Sequence, residues 1–319
     1  KPVAVFLDYI TRWEGFLIIV LILVVVVNSL TSPYFLNAFN LMNTTFNFME
    51  KAIVAMPLML VIVAGEIDIS VAGIMAMSAT LMGLAAQLGA TLPMVLLVGL
   101  VSGLLAGMLN GFIITRFGVP SIAVSIGAMS LYRGISYVIL GDRAFTEYPE
   151  GFGYIGQGFI GETIIPFPLV LFAVLAVVFG LILHSTTFGR RLYAIGNNPV
   201  AAQFSGIPVN KYKRILFMLS GTFSGLAACV LTSRISTARP NMAYGWELEI
   251  VTLVVLGGVS IYGGRGSVFG VITSIFIIGL VRFGMALVNV PGQVMNIVTG
   301  FLLIAAILLP GLLGNLRRH

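Results

Sequence analysis

Long runs of apolar residues, separated by short polar stretches, occupy almost the whole chain. A helix that crosses a bilayer needs about 20 consecutive, mostly apolar residues. By that length, ten segments are predicted to be spans: 13–30, 45–64, 69–88, 93–114, 120–140, 167–184, 215–233, 247–262, 268–287 and 293–310. The second and third spans are separated only by GEIDIS at 65–70, and the eighth is short. Each of these is open to being a broken or re-entrant helix.

Composition supports a membrane protein. Apolar residues make up 59% of the 319 residues and charged residues only 9%, whereas soluble domains contain about 25% charged residues. We therefore predict an all-α fold, a polytopic transmembrane helical bundle that forms a single domain over 1–319 in a lipid bilayer. The net charge of +6 does not indicate nucleic-acid binding, because no aromatic and basic surface element accompanies it.

The positive charges predict the orientation. Basic residues collect in cytoplasmic loops of membrane proteins, and an N-in, C-in topology places eleven Lys and Arg inside against six elsewhere. The loop 141–166 is acidic, as expected outside. Residues 184–214, here called the basic segment, form the one extended basic stretch between apolar runs. Its cationic residues are Arg190, Arg191, Lys211, Lys213 and Arg214.

A weak internal repeat relates the two halves of the chain, roughly 45–140 and 215–310. Residues 96–129 resemble 267–300 at an offset of 171, which aligns Gly99 with Gly270 and Val119-Pro120 with Val290-Pro291. Because the copies lie five spans apart, they run in opposite directions through the bilayer, as in many transporters. Chance similarity between apolar helices is the alternative. The glycine series from Gly99 to Gly111, with spacing of four, indicates close helix packing.

Several kinds of catalytic site are absent from the sequence. None of the four lysines follows a glycine, so there is no G-K-[ST] phosphate-binding loop. One cysteine, Cys229, and two distant histidines, His184 and His319, provide no metal-binding set. We predict a non-enzymatic protein without metal or cofactor, and Cys229 is expected to be buried and inert. Energy for any transport then comes from a gradient or from another subunit.

Polar residues inside predicted spans are costly and often functional. The candidates for a transport pathway are Asp68, Glu66, Asn110, Arg133, Arg282, Asn289 and Gln293. Asp68 is expected mainly to cap a helix that restarts at Ser70, with ion or substrate binding as the alternative. The two arginines either line an aqueous mouth or reach the lipid headgroups. The amides can bind sugar hydroxyls or join helices.

Glu50 and Lys51, at the start of the second predicted span, are expected to screen each other at the membrane interface.

Three motifs together resemble one known family. They are GEIDISVAG at 65–73, GNNPVAAQFSGIPVNKYK at 196–213 and EIVTLVVLGGVSIYGGRGSVFGV at 249–271. The chain is similar over most of its length to the membrane permease subunits of bacterial ABC importers for monosaccharides, the branched-chain amino acid/ribose permease family. Within it, the rhamnose and autoinducer-2 branches are most similar. The family usually has Gly in place of Glu66. Glu66 therefore either points into water or changes what the pathway accepts.

The resemblance implies partners and a coupling site. Its members work in the bacterial inner membrane with a cytoplasmic ABC ATPase dimer, which binds ATP and Mg. They also need a second permease subunit, identical or paralogous, and a periplasmic solute-binding protein. The basic segment matches the part that docks on the ATPase, with a docking helix over 198–205. The coupling residues are Gly196, Asn197, Asn198, Pro199, Ala202, Phe204, Ser205 and Gly206, flanked by Arg190 and Arg191.

Two other functions are weighed against this importer. An ion-coupled secondary carrier or channel would need a carboxylate in its pathway, for which Asp68 and Glu66 are the candidates. A structural or assembly subunit fits the apolar composition but leaves the basic segment unexplained.

Overall fold

The computed structural model describes residues 13–302 and 304, and its regular elements are helices throughout that part of the chain. The all-α prediction is confirmed there. The helices are α1 Trp13–Thr31, α2 Ala38–Thr44, α3 Met49–Val63, α4 Val71–Gln87, α5 Leu92–Phe117, α6 Ser121–Leu140, α7 Tyr154–Gln157, α8 Phe167–Ser185, α9 Thr187–Asn197, α10 Pro199–Phe204, α11 Val209–Ile235, α12 Trp246–Leu256, α13 Val268–Leu287 and α14 at 292–302.

Each of the ten predicted spans contains a helix, but fewer helices are long enough to cross a bilayer. Within the described residues, six are long and apolar enough: α1, α5, α6, α8, α11 and α13. A seventh crossing results if residues 38–63, which bend by 58° before Met49, count as one span. The chain is therefore a multi-pass membrane protein, and the count of ten stays a prediction.

Two predicted spans are shorter than a full crossing. Helix α4 has 17 residues. Helix α12 has only 11 residues and is about 16 Å long, roughly half the thickness of the hydrocarbon core. The prediction that the eighth span continues to residue 262 is wrong, because α12 ends at Leu256. The tenth extends into residues 303 and 305–310, which lie outside the described part.

Helix α3 lies at the centre of the bundle. Every residue from Met49 to Val63 is buried. Around it pack α8, α11, α12 and α13, with α9 near its end. By contrast, only 11% of α1 is buried. The end of α3 and the residues that follow it are therefore held on all sides by other helices.

Helices α5 and α11 pack closely through glycines, as the sequence predicts. A Cβ on Gly103 would collide with the backbone of Gly221, and one on Gly225 would collide with the carbonyl of Gly99. Such close approach between helices replaces the hydrophobic force that is missing in lipid. Cys229, on α11, is buried, and its Sγ lies 3.4 Å from the Sδ of Met82 on α4.

The bundle has two distinct ends. At one end, which we call the basic-segment end, the last residues of α3 and α8 meet α9, α10, the start of α11 and the loop 257–267. At the opposite end, the loop 141–166 lies against residues after α11, where Phe145 and Ala238 form an isolated antiparallel bridge. The start of α3 and the start of α12 also lie there.

Two pairs of positions 171 residues apart share a left-handed backbone. Gly118 and Asn289 have φ of 66° and 58°, and each lies directly before Val-Pro. Gly65 and Ser236 have φ of 80° and 49°. These angles, which a residue with a side chain adopts rarely, recur at the offset of the proposed repeat. The opposite direction of the two halves stays a prediction, as does the N-in, C-in topology.

Candidate functional site

A non-helical interruption, residues 65–70, separates α3 from α4 and is here called the break. It begins at Gly65, whose φ of 80° suits glycine. The N–H groups of Gly65 and Glu66 donate to the carbonyls of Ile62 and Val61, at 2.9 and 3.1 Å, and so complete the last turn of α3. The break thereby places a short irregular stretch, with its carboxylates, beside the buried end of α3.

The Asp68 carboxylate is fully buried within the break and is well supplied with donors. Its Oδ1 accepts from the N–H and hydroxyl of Ser70, at 2.9 and 2.6 Å. Its Oδ2 accepts from the hydroxyl of Ser220 on α11, at 2.7 Å. The expected cap is present in part, because Asp68 accepts the amide of Ser70, the N-cap residue of α4, but not the amides of the first helical turn. The contact with Ser220 is an additional link that the sequence does not reveal.

This polar contact continues across two further helices. The amide nitrogen of Asn110 on α5 donates to the Ser70 hydroxyl at 2.8 Å. The hydroxyl of Tyr132 on α6 lies 2.8 Å from the Asn110 amide oxygen and 2.9 Å from the Ala106 carbonyl, so it donates to one or shares its proton. Both Asn110 and Tyr132 are buried. Thus the pathway candidates Asp68 and Asn110 belong to one buried network that joins the break to α5, α6 and α11.

Glu66 lies at the edge of the break and pairs with the basic segment. Its Oε1 forms an ion pair with the Nζ of Lys213, and the two side chains are 11% and 22% exposed. Of the two alternatives left open for Glu66, free projection into water is therefore wrong. Its carboxylate connects the end of α3 to the start of α11.

The basic segment contains the short helix that the docking motif predicts. Helix α10 covers Pro199–Phe204, and the side chain of Asn198 caps it by accepting the N–H of Ala201 at 2.9 Å. Proline suits the first helical position because its missing N–H has no partner there. Gly206 follows with a φ of 82°. The docking helix predicted over 198–205 is thus present as six helical residues, with Asn198 and Ser205 as its caps.

Helix α10 presents an apolar surface to its surroundings. Val200 and Phe204, one helical turn apart, are 61% and 89% exposed, whereas Ala202 is 5% exposed and faces the protein. Arg190 and Arg191, on the preceding α9, are also exposed. An exposed Phe next to cationic residues, at the end of a bundle, is a surface suited to a protein partner.

Helix α9 touches the break through glycines. At its end, a Cβ on Gly196 would collide with the backbone of Val63 and of Gly264. Gly264 in turn donates its N–H to the Val63 carbonyl at 2.9 Å. Gly263 also packs against the backbone of Gly65, where a Cβ would lie 2.9 Å from the Gly65 N and Cα atoms. The basic segment, the loop 257–267 and the end of α3 therefore form one backbone-to-backbone contact, here called the glycine junction.

Side chains brace the glycine junction. The hydroxyl of Tyr193 donates to the carbonyl of Gly266 at 2.7 Å, and partial burial raises the pKa of this tyrosine, so it stays neutral. Arg191 donates to the hydroxyl of Tyr212 at 2.7 Å. Asn197 lies against Gly264, with its Nδ2 donating to the carbonyl of Tyr193 at 2.8 Å. These contacts make α9 and the start of α11 one unit with the loop 257–267.

Comparison with known proteins decides the family. The model of the branched-chain amino acid transport system permease component matches residues 40–307. The chain belongs to this permease family. The permease is 36% identical over 292 residues to the ribose import permease protein RbsC of Bacillus subtilis, covering 91% of this chain and 90% of that protein.

Other relatives carry a different name. The permease is 33% identical over 315 residues to the autoinducer 2 import system permease protein LsrD of Salmonella paratyphi B, covering 96% of this chain and 93% of that protein. It is 35% identical over 306 residues to LsrD of an Enterobacter species, covering 93% and 92%. No solved structure matches the chain.

The remaining pathway candidates of the permease are not part of the Asp68 network. Arg133 donates to the carbonyls of Pro240 and Met242, at 2.9 and 3.1 Å, and holds the chain after α11. Arg282 lies with Glu249, described below, and has a role within the protein rather than at the headgroups. Asn289 and Gln293 are exposed.

The expected pairing of Glu50 with Lys51 is wrong. Glu50 pairs with Arg234 on α11 at 2.5 Å, and Lys51 pairs with Glu249 on α12 at 2.7 Å. Glu50 and Lys51 are 0% and 4% exposed, so neither reaches a membrane interface. Adjacent residues on a helix point about 100° apart, and their partners lie 184 and 198 residues away in sequence. No local pattern identifies such partners.

The glycine junction was also missed from the sequence. In the sequence, the glycine-rich residues 257–267 indicate only a tight turn between two spans. The one sequence feature that could have indicated the glycine junction is the presence of glycines in three separate motifs, at Gly65, Gly196 and Gly263-Gly264. Only the folded structure shows that these three turns meet.

Proposed function

We propose that the permease is the translocation subunit of an ABC importer that carries a small sugar or sugar-like solute, such as a ribose-type monosaccharide or an autoinducer-2-like compound. The names of its relatives, ribose import permease and autoinducer 2 import permease, support this solute class. ATP hydrolysis belongs to a separate subunit that binds ATP and Mg. This chain supplies the membrane path and the surface that receives force.

The observation that carries the proposal is the glycine junction beneath α10. A partner that moves α10 pushes on α9, and α9 has direct backbone contact with the end of α3 through Gly196 and Val63. Backbone-to-backbone contacts contain no flexible side chain that can absorb the motion, and packed interiors transmit strain. Displacement at the exposed helix therefore reaches the break and its buried network.

The proposed assembly follows from this surface. The basic segment lies in the cytoplasm, in accord with its charge, and an ABC ATPase dimer docks on Val200 and Phe204. A second permease subunit completes the pathway, and a periplasmic binding protein delivers the solute at the opposite end. The location is the bacterial inner membrane. Alternating access then consists of movement between the two repeat halves.

An ion-coupled carrier is a poorer account. Its ion site would need Asp68 or Glu66. Both Asp68 oxygens already accept hydrogen bonds from serine groups, and Glu66 pairs with Lys213. A carboxylate that is saturated by donors from its own protein has a structural role first.

The test is ATP-driven uptake by the reconstituted complex. Proteoliposomes contain the permease, its ATPase and the binding protein, and are assayed for ATP hydrolysis and for import of D-ribose and L-rhamnose. Phe204→Ala is expected to lower co-purification of the ATPase and to lower uptake at least tenfold, because a fully exposed aromatic anchor dominates a small interface. The matched control is Phe117→Ala, which removes another exposed phenylalanine, 68% exposed, from outside the basic segment. Normal ATPase retention and uptake by Phe204→Ala would refute the coupling role.

A further inference from the structure

A cavity at the end of the bundle opposite the basic segment is not used by the Asp68 network. It lies between the start of α12, the later half of α13 and α14, and has a volume of about 320 Å³. That volume is at the lower limit of small-molecule pockets, which hold about 300–1,000 Å³. The space is large enough for a molecule of one sugar ring.

One wall of the cavity is polar and already ordered. Arg282 on α13 lies 3.3 Å from Glu249 on α12 and donates to the amide oxygen of Asn296 at 3.0 Å. It also lies 3.3 Å from the hydroxyl of Thr299. Lys51, from the centre of the bundle, fixes the other oxygen of Glu249 at 2.7 Å. Groups that are held in place before binding lose little entropy when a ligand arrives.

This wall retains hydrogen-bonding capacity. The Nε of Arg282 is buried and has no acceptor among the described residues. This atom is closed off from the cavity, so the groups that a ligand can reach are on the outer part of the Arg282 guanidinium and on Asn296 and Thr299. Asn296 uses its oxygen toward Arg282, which leaves its NH2 group for a ligand. The Glu249 carboxylate is shared by Arg282 and Lys51, so the charges of the lining are already paired within the protein, which suits a neutral solute.

The facing wall is aromatic. Trp246 and Tyr244 both line the cavity. Each ring is held by a cation, with the Nζ of Lys51 4.3 Å from the Trp246 centroid and the Cζ of Arg133 5.4 Å from the Tyr244 centroid. Tyr244 is 77% exposed and so lies at the entrance. Aromatic rings offer large apolar area with little conformational freedom to lose.

We propose that this cavity binds a neutral, polyhydroxylated ring compound of monosaccharide size on its way through the membrane. The hydroxyl groups of such a compound meet Arg282, Asn296 and Thr299, and its C–H face packs on Trp246. The inference deepens the proposed function and rests on it. It assigns solute recognition to the end opposite the ATPase-docking helix and explains why Arg282 is held inside the bundle.

The test uses the full chain in detergent micelles, where both ends of the bundle are accessible. The sequence has two tryptophans, so Trp13→Phe leaves Trp246 as the one emitter. Titration with D-ribose or L-rhamnose should change its fluorescence with saturation. Asn296→Ala should raise the half-saturating concentration about fivefold, the effect of losing about 1 kcal/mol. Asn241→Ala is the matched control, since Asn241 is exposed and outside the lining.

The outcomes separate the cavity from the proposed function. The assignment of this cavity as a solute site is overturned if neither sugar gives a saturable fluorescence change. It is also overturned if Asn296→Ala and Thr299→Val both leave the half-saturating concentration unchanged. Either result counts against the cavity even where the complex imports sugar with ATP. A sugar-dependent change without any ATP-driven uptake overturns the importer instead. D-glucuronate is D-glucose with C6 oxidised to a carboxylate, and tighter binding of D-glucuronate than of D-glucose overturns the neutral class. Thr299→Val preserves side-chain shape and decides the question if Asn296→Ala is poorly folded.

Discussion

The hydroxyl of Ser220 on α11 donates a 2.7 Å hydrogen bond to the buried carboxylate of Asp68. This contact joins the longest helix of the described structure to the break, across 152 residues of sequence. It makes α11, which begins in the basic segment, a second route by which a force on that segment reaches the polar interior.

Ser220→Ala should destabilise the permease by about 2 kcal/mol, because hydrogen bonds to buried charged groups contribute about 1.5–3 kcal/mol. Ser224→Ala, on the same helix, is the matched control. Ser224 is also buried, but it donates to the carbonyl of Ser220 within its own helix, and its loss should cost less than about 1 kcal/mol. SDS titration of the purified full chain gives both free energies of unfolding. If both variants lost the same free energy of unfolding, the hydrogen bond from Ser220 to Asp68 would add no more stability than an ordinary bond within the helix.

Gly196→Ala should uncouple transport. The added Cβ meets the backbone of Val63 and Gly264, which cannot rotate away, so α9 must move or the glycine junction must open. Such overpacking costs about 1–3 kcal/mol. We expect a clear fall in solute uptake per ATP hydrolysed, measured in proteoliposomes.

Gly127→Ala is the control for that substitution. A Cβ at Gly127, in α6, meets nothing within 4 Å, and alanine is favoured over glycine in a helix by about 1 kcal/mol. This variant should keep normal coupling. If Gly196→Ala also kept the normal ratio of solute uptake to ATP hydrolysis, the glycine junction would not be what transmits the force.

Lys51→Ala should be strongly destabilising, by about 3 kcal/mol, because it removes one partner of a buried ion pair. The double variant Lys51→Met, Glu249→Leu should recover part of that loss, because it removes the carboxylate that Lys51→Ala leaves unpaired, although it also removes the carboxylate partner of Arg282. Lys211→Ala, on the exposed part of the basic segment, is the control. Thermal unfolding of the full chain compares all three. A double variant no more stable than Lys51→Ala would contradict the explanation.

Glu66→Gln should change stability by less than about 1 kcal/mol. Its partner Lys213 is 22% exposed, and partly exposed ion pairs contribute little. In a double-mutant cycle with Lys213→Met, the coupling energy should be positive and should shrink at high salt. Glu66→Gly should leave the preference between D-ribose and L-rhamnose unchanged in uptake assays. A changed preference would place Glu66 in the transport pathway and would show that this residue affects which solute is accepted.

The sequence predicts the parts of this fold that depend on local patterns. Apolar runs identify ten of the fourteen helices in the described part, and the Asn198–Pro199 pair with Gly206 defines α10, because caps and left-handed turns have local residue requirements. The capping function of Asp68 follows from its position two residues before Ser70. The glycine series that starts at Gly99 predicts the packing of α5, although not its partner.

What the sequence does not predict are the contacts between distant segments. Glu50 and Lys51 are adjacent, and their charges suggest mutual screening, yet each is directed to a different helix. The length of α12 was overestimated because the residues after Leu256 stay apolar while Gly257 and Gly258 end the helix. Gly258 has a φ of 87°, which terminates a helix independently of hydropathy.

The chain's single cysteine lies sealed between α4, α5 and α11, beside Met82. Reagents that modify thiols therefore have no natural target on the surface of the folded permease. A cysteine placed at Gln203, next to Phe204, and another at Asn241, which contacts Tyr244, would accept a pair of spin labels without prior removal of Cys229. The distance between the docking helix and the entrance of the cavity then becomes directly measurable as ATP is bound and hydrolysed.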